Sequence, residues 1–167
     1  GKGRMEEPEH IILLIEQFFA VQNDLQGKKI LITAGPTYER IDPVRFIGNF
    51  SSGKMGFSLA EECAQRGAEV LLIAGPTALK TIHPRIERID VESAQQMHDA
   101  AVSAFPQMDA AILSAAVADY RPLRSRPEKM KREGQEEFSL TLTTNPDIAA
   151  SLGQMKEAHQ ALIGFAL

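Results

Sequence analysis

The chain has no tryptophan, a single cysteine and no apolar stretch long enough to cross a bilayer. A lone Cys63 excludes an internal disulfide and suits a reducing compartment. It sits in "AEECAQRGA", a helical pattern, where a small packing residue is expected rather than a nucleophile. The most apolar run, "IILLIEQFFAV", is interrupted by Glu16 and Gln17 and follows no basic leader, so neither a membrane span nor a signal peptide is expected. The histidines, His10, His83, His98 and His159, lack ligand spacing, and none is assigned to a metal. A net charge of -4 argues against a general nucleic-acid partner.

What is present is the composition of an ordinary globular domain. The 167 residues are 44% hydrophobic and 24% charged, enough for one core and a short appendage. Both ends look cut: the chain opens in "GKGRMEEPEH" and stops inside the apolar "ALIGFAL". A fragment of a longer cytoplasmic protein is therefore expected.

Glu9 to Ala20 reads as a helix with Pro8 near its first turn, and "QNDLQGKK" as a linker. Short apolar runs predict buried strands at "KILIT", "AEVLLIAGP", "DAAILSAA" and "ALIGFAL", with a weaker one at "IERID". Between them, Lys54 to Arg66 reads as a helix closed by Gly67. Ser93 to Ala104 reads as another, with Ser93 and Gln96 at capping-box spacing. Arg121 to Gly134 reads as a polar, basic loop, and "EFSLTLTT" as a half-exposed strand. Asn145 is expected to cap a last helix, with Pro146 at its first position and Asp147 in its first turn. Strand and helix alternate, which predicts an α/β fold: a doubly wound, mostly parallel, Rossmann-like sheet with helices on both faces. Ligands of such sheets bind beyond the carboxyl ends of the strands.

"GNFSSGKMG", Gly48 to Gly56, holds most of a Walker A motif, but Met55 stands where a magnesium-binding hydroxyl belongs. "YERIDPVRFI" also separates it from the first strand. A triphosphatase loop is disfavoured on both counts. Ser51, Ser52 and Gly53 still lead into a helix N-terminus, which favours an anion; a plain capping turn explains the same residues, and composition leaves both readings open. "RPLRSRPEKMKRE" concentrates Arg121, Arg124, Arg126, Lys129, Lys131 and Arg132 in an acidic chain. It reads either as a mobile polyphosphate clamp or as a solvated loop. A nicotinamide-dependent reductase is a distant alternative. The first turn lacks a G-x-G-x-x-G, and the second strand ends in Ala74, Gly75 and Pro76 without a ribose-binding acid.

Several of these pieces occur together in one family. "TAGPTYERIDPVRFIGNFSSGKMGFSLAEECAQRGAEVLLIAGP", "AAVADYRP", "PEKMKR", "NPDI" and "GFA" closely resemble phosphopantothenate–cysteine ligase, also called phosphopantothenoylcysteine synthetase. The bacterial type is usually fused behind a flavin-dependent decarboxylase. The resemblance implies that residues 27–167 are a ligase domain truncated at its C-terminus. Residues 1–26 would then be the tail of the decarboxylase with a linker helix, and FMN would belong to the absent upstream part.

The resemblance also implies the reaction. CTP with magnesium activates the carboxylate of 4'-phosphopantothenate as an acyl-cytidylate, releasing pyrophosphate. Cysteine then forms the amide and frees CMP, in a homodimer. By resemblance, Asn49 contacts the acyl-cytidylate and Lys129 the phosphates. Asp119, Leu113, Ser114, Ala115, Pro146, Asp147, Ile148, Ala149 and Phe165 would line the nucleotide site. Ser51, Ser52 and Gly53 are weaker candidates for the substrate phosphate, and no protein ligand for metal is assigned. The chain departs from the pattern at Phe50, where His is usual, at Arg132, where Lys is common, and at Leu167, where a small residue is expected. A chain ending there is alternatively a catalytically incomplete nucleotide-binding and dimerising fragment.

Overall fold

A computed structural model describes residues 7–12, 23–131 and 138–165. In chain order the elements are β1 (Lys29–Ala34), β2 (Tyr38–Arg40), β3 (Phe46–Gly48), α1 (Lys54–Gln65), β4 (Glu69–Ala74) and β5 (Ile86–Asp90). They continue with α2 (Ala94–Ala104), β6 (Ala110–Leu113), β7 (Tyr120–Pro122), β8 (Leu142–Thr144), α3 (Ile148–Met155) and β9 (Ala161–Gly164). Most of the helix expected at Glu9 to Ala20 lies outside the described residues, as do Arg132 and Leu167.

Five strands form a sheet in the order β5-β4-β1-β6-β9, with every neighbour parallel. β1 is central and apolar on both faces because both are covered. Ile30, Ile32 and Ala34 pack with Phe57, Ala60 and Ala64 of α1. Leu31 points the other way, toward Met97 and Ala101 of α2 and Ile148 and Leu152 of α3. Fully burying side chains such as Leu31, Ile32, Leu72 and Ile73 stabilises the fold by about 1.5–3 kcal/mol each. The doubly wound fold with helices on both faces is thus what the strand–helix alternation implied.

The helix ends follow local chemistry. α1 closes on Gly67 at φ 97, where Gly67 N–H donates to Ala64 O and Ala68 N–H to Cys63 O, both at 3.0 Å. That is a Schellman ending, which needs a left-handed residue. α2 opens with the full Ser93–Gln96 capping box.

Four expectations need correction. Asp147, not Asn145, caps α3, accepting from Ala150 N–H at 2.8 Å; Asn145 is drawn into tertiary bonds described below. The last strand, β9, is largely exposed because it is the sheet edge. The polar stretch from Arg121 does not begin as a loop, since β7 pairs antiparallel with β8. Of "EFSLTLTT", the described residues 138–144 keep only Leu142–Thr144 as strand, and Glu137 lies outside the described residues. A second hairpin, β2–β3, has Tyr38 stacked on Phe46 across the pair at a ring separation of 3.9 Å. Its three-residue strands gave no readable alternation.

Candidate functional site

The chain runs outward from β1 through β4 to β5, then returns to β6 on the other side of β1. This reversal opens a crevice at the carboxyl ends of the strands. A cavity of about 570 Å³ spans the ends of β1, β6 and β9, from Thr33 beside the switch point to the start of α3. Its lining includes Leu113, Ala115, Asp119, Pro146, Asp147, Ile148, Ala149 and Phe165, all of them expected at a nucleotide site. Ser114 is turned away. Its hydroxyl donates to Thr33 O at 2.7 Å, on the side where Gly56 of α1 comes close.

The segment after β6 forms one wall and is tied down from several directions. Thr37, fully buried, accepts from Ala118 N–H at 3.0 Å through its hydroxyl. Ala116 N–H donates to Gly35 O at 2.8 Å. Asn145 donates its amide to Ala118 O at 2.7 Å, accepts from Arg121 at 3.1 Å, and its backbone N–H reaches Asp119 O at 2.8 Å. Asn145 therefore joins the two walls of the cavity. The only local signal for this is the pair of capping residue types in "NPD".

Asn49 is not part of the lining. Its side chain donates to Val117 O at 3.0 Å, and Val117 does line the cavity. The structure thus brings Asn49 to the same strand ends as Asp119. One amide hydrogen is used on Val117; the second hydrogen and the side-chain oxygen are left for a ligand. Phe50 is fully exposed beside it. Asp119 is exposed and has no side-chain partner among the described residues. Lys129 is also exposed and unpaired among them, and lies outside the cavity lining.

The "NFSSGK" turn stands against the β1 end. Gly53 has φ 77, and an added Cβ there would come within 3.2 Å of Gly35 Cα. No side chain caps α1 in the usual manner. Instead Gly53 N–H donates to Ser51 Oγ at 3.2 Å and Lys54 N–H to Ser52 Oγ at 3.3 Å. Each hydroxyl still has its own hydrogen to donate, so the turn is self-supporting and remains compatible with an anion. Cys63 is buried, and burial pushes its thiol up, away from thiolate chemistry. Among the described residues no group of three or more His, Cys, Asp or Glu side chains could hold a metal, and no helix is long and apolar enough to span a membrane.

Fold and crevice together define a doubly wound α/β domain with a candidate ligand site beside the switch point. Residues 25–167 match the model of the DNA/pantothenate metabolism flavoprotein C-terminal domain, and the chain belongs to that family. It is 50% identical over 171 residues to a cysteine/cysteine sulfinic acid decarboxylase from an unknown prokaryotic organism, covering 100% of this chain and 47% of that protein. It is 49% identical over 166 residues to the coenzyme A biosynthesis bifunctional protein CoaBC of Haemophilus influenzae, covering 99% of this chain and 41% of that protein. A crystal structure of the C-terminal domain of a CoaBC protein superposes with a TM-score of 0.75 at 49% identity, over 86% of this chain and 66% of that one. The chain spans less than half the length of these curated relatives.

Proposed function

We propose that this domain carries out the ligase step of coenzyme A biosynthesis: CTP-dependent joining of cysteine to 4'-phosphopantothenate through an acyl-cytidylate, within a longer two-domain protein. The observation that carries the reading is the Asn49–Val117 bond. It sets a neutral amide donor against the wall of a switch-point cavity large enough for a nucleotide.

In this reading the nucleotide occupies the cavity, with its phosphates toward Asp119 and the open N–H groups at the start of α3. Magnesium arrives bound to the triphosphate. Asp119 has no structural partner among the described residues, whereas Asp147 is occupied in capping. Asp119 is therefore the carboxylate suited to face the metal. A carboxylate is a poor electrophile; its attack on the α-phosphate breaks the α–β phosphoanhydride bond, expels pyrophosphate and leaves an acyl group with CMP as its leaving group. Lys129 screens the phosphate charge during that step. When the cysteine amine attacks, the acyl oxygen gains negative charge, and the free hydrogen of Asn49 stabilises it. Ser51 and Ser52 donate their hydroxyl hydrogens to the phosphate of phosphopantothenate.

A homodimer is part of the proposal. Val44 and Phe46 on the β2–β3 hairpin, and Leu123 and Leu142 on or beside β7–β8, are 42–60% exposed, the kind of apolar surface a partner copy would cover.

The test is pyrophosphate release by the full-length protein, measured with CTP or ATP and with or without phosphopantothenate. The expected result is release from CTP that requires phosphopantothenate, followed by amide formation on adding cysteine. Nucleotide-independent amide formation, or no phosphopantothenate requirement, would overturn the reading.

A further inference from the structure

Asp42 lies in the turn between β2 and β3 and is only 1% exposed. The backbone already closes this turn, because Ile41 N–H and Asp42 N–H both donate to Arg45 O. The Asp42 carboxylate does more than that. It accepts from Val44 N–H and Arg45 N–H, each at 2.8 Å, and from Arg45 Nε at 3.0 Å. It also accepts from Met130 N–H at 3.2 Å, across 88 residues of sequence. Arg45 in turn donates to Met130 O at 3.0 Å, and Arg126 N–H donates to Ile41 O at 2.9 Å. Both backbone groups of Met130 are therefore held by the hairpin tip. Burial alone would raise the Asp42 carboxyl, but the Arg45 side chain and the N–H groups of Val44, Met130 and Arg45 outweigh it and hold it well below the usual range.

Lys129 immediately precedes Met130. A lysine is a point charge on a flexible stem, so its reach is useful only if its backbone is fixed. The same hairpin runs through β3 into Asn49, with Arg45 and Asn49 four positions apart, about 13 Å of extended chain. We infer that Asp42 is a positioning residue for the ligation: by gripping Met130 it indexes the Lys129 backbone to the hairpin that carries Asn49. This rests on Lys129 being the phosphate-contacting cation proposed above.

Asp42→Asn keeps the size but turns an amide N–H₂ toward the Arg45 guanidinium or Met130 N–H, which are also donors. The full-length variant is expected to lose about 10- to 100-fold in kcat/KM for CTP, the scale of a misplaced catalytic group. The loss should be absent in a Lys129→Gln background, because a misplaced lysine and a missing one are equivalent there. Hydrogen exchange at the Met130 amide should accelerate in Asp42→Asn and stay slow in Lys129→Gln. If Asp42→Asn does not fold, Met130→Pro removes the contacted N–H while leaving Asp42 in place, and the same non-additivity is expected. Full activity of both Asp42→Asn and Met130→Pro, or losses that add to that of Lys129→Gln, would overturn the inference. Full activity of Lys129→Gln alone would instead overturn the reading of Lys129 on which it rests.

Discussion

Replacing Asn49 separates a chemical role from a structural one, because the two predict losses of different size. The structural loss is bounded by what Asn49 touches. It is exposed, and among the described residues its one side-chain bond is the 3.0 Å contact to Val117 O. Deleting such a bond costs about 0.5–1.5 kcal/mol. At roughly 2–4 °C per kcal/mol for a domain of this size, Asn49→Ala lowers Tm by no more than about 6 °C. The chemical loss is larger: removing one donor to an oxygen that gains charge costs about 10²- to 10³-fold in rate. Asn49→Asp goes further, since it keeps the volume, loses the N–H and places a carboxylate against both Val117 O and the reacting acyl oxygen. The expected order of amide formation is wild type, then Ala, then Asp. Pyrophosphate release should suffer less in all variants, because the acyl oxygen gains no charge in that step. The assay is quenched-flow measurement of pyrophosphate and amide in parallel on the full-length protein, with Tm taken on the same samples. Amide formation by Asn49→Asp within about threefold of wild type would refute the reasoning. So would equal losses in the Ala and Asp variants accompanied by a matching fall in Tm.

Lys129→Gln is expected to abolish most turnover with Tm unchanged, because the side chain is exposed and unpaired among the described residues; wild-type rates would remove Lys129 from the mechanism. Gly75→Ala would put a Cβ 1.7 Å from Pro36 O, a backbone atom that moves only with its turn, and should cost about 3 kcal/mol. That corresponds to a fall of about 6–12 °C in Tm, whereas Gly164→Ala, with nothing within 4 Å of its added Cβ, should change Tm little. Acid should destabilise the domain in a defined window. Asp24 is held low by its bond from Arg66, Asp109 by Lys29 N–H and Lys28, and Asp42 despite its burial. Depressed carboxyls contribute stability that is fully present above their unfolded values near 4 and is lost as pH falls through the folded ones, so Tm should hold from neutrality to about pH 5 and drop below about pH 4.

The parts of the fold legible in the sequence are those whose cause is local or whose burial is two-sided. β1, β4 and β6 read as continuous apolar runs because helices cover both faces of the sheet. The Ser93–Gln96 box and the Gly67 ending are written within a few residues. The β2–β3 hairpin and β7 were not legible, and β8 was read only as part of the longer alternating "EFSLTLTT". Each strand is three residues long, too short for a period to register, and Val44, Phe46, Leu123 and Leu142 are left exposed. β9 shows the converse: an apolar strand spells the same whether it ends central or at an edge. Asn145 and Asp147 are both good caps two residues apart, and local preference does not choose between them. The choice was made by Ala118 O and Arg121, which occupy the Asn145 side chain.

The candidate site also resists a search by side chain because much of its lining comes from small or apolar residues such as Ala115, Val117, Ala118, Ala149 and Gly164. "SAAVA", Ser114 to Ala118, holds no ionisable group, yet it forms the wall between Asn49 and the cavity. Small side chains there let backbone approach whatever occupies the crevice. Such a wall discriminates between ligands only if its carbonyl and N–H groups are fixed beforehand, since reorganising them would cost what their bonds contribute. The polar side chains around the segment supply that fixity. Thr37 holds Ala118 N–H, Asn145 holds Ala118 O, and Asn49 holds Val117 O. Asn49 therefore has two duties in the proposed reaction, one hydrogen holding the wall and the other meeting the acyl group. A substitution at Asn145 would loosen the same wall without touching that second hydrogen, and so should weaken nucleotide binding while sparing the partition between pyrophosphate release and amide formation.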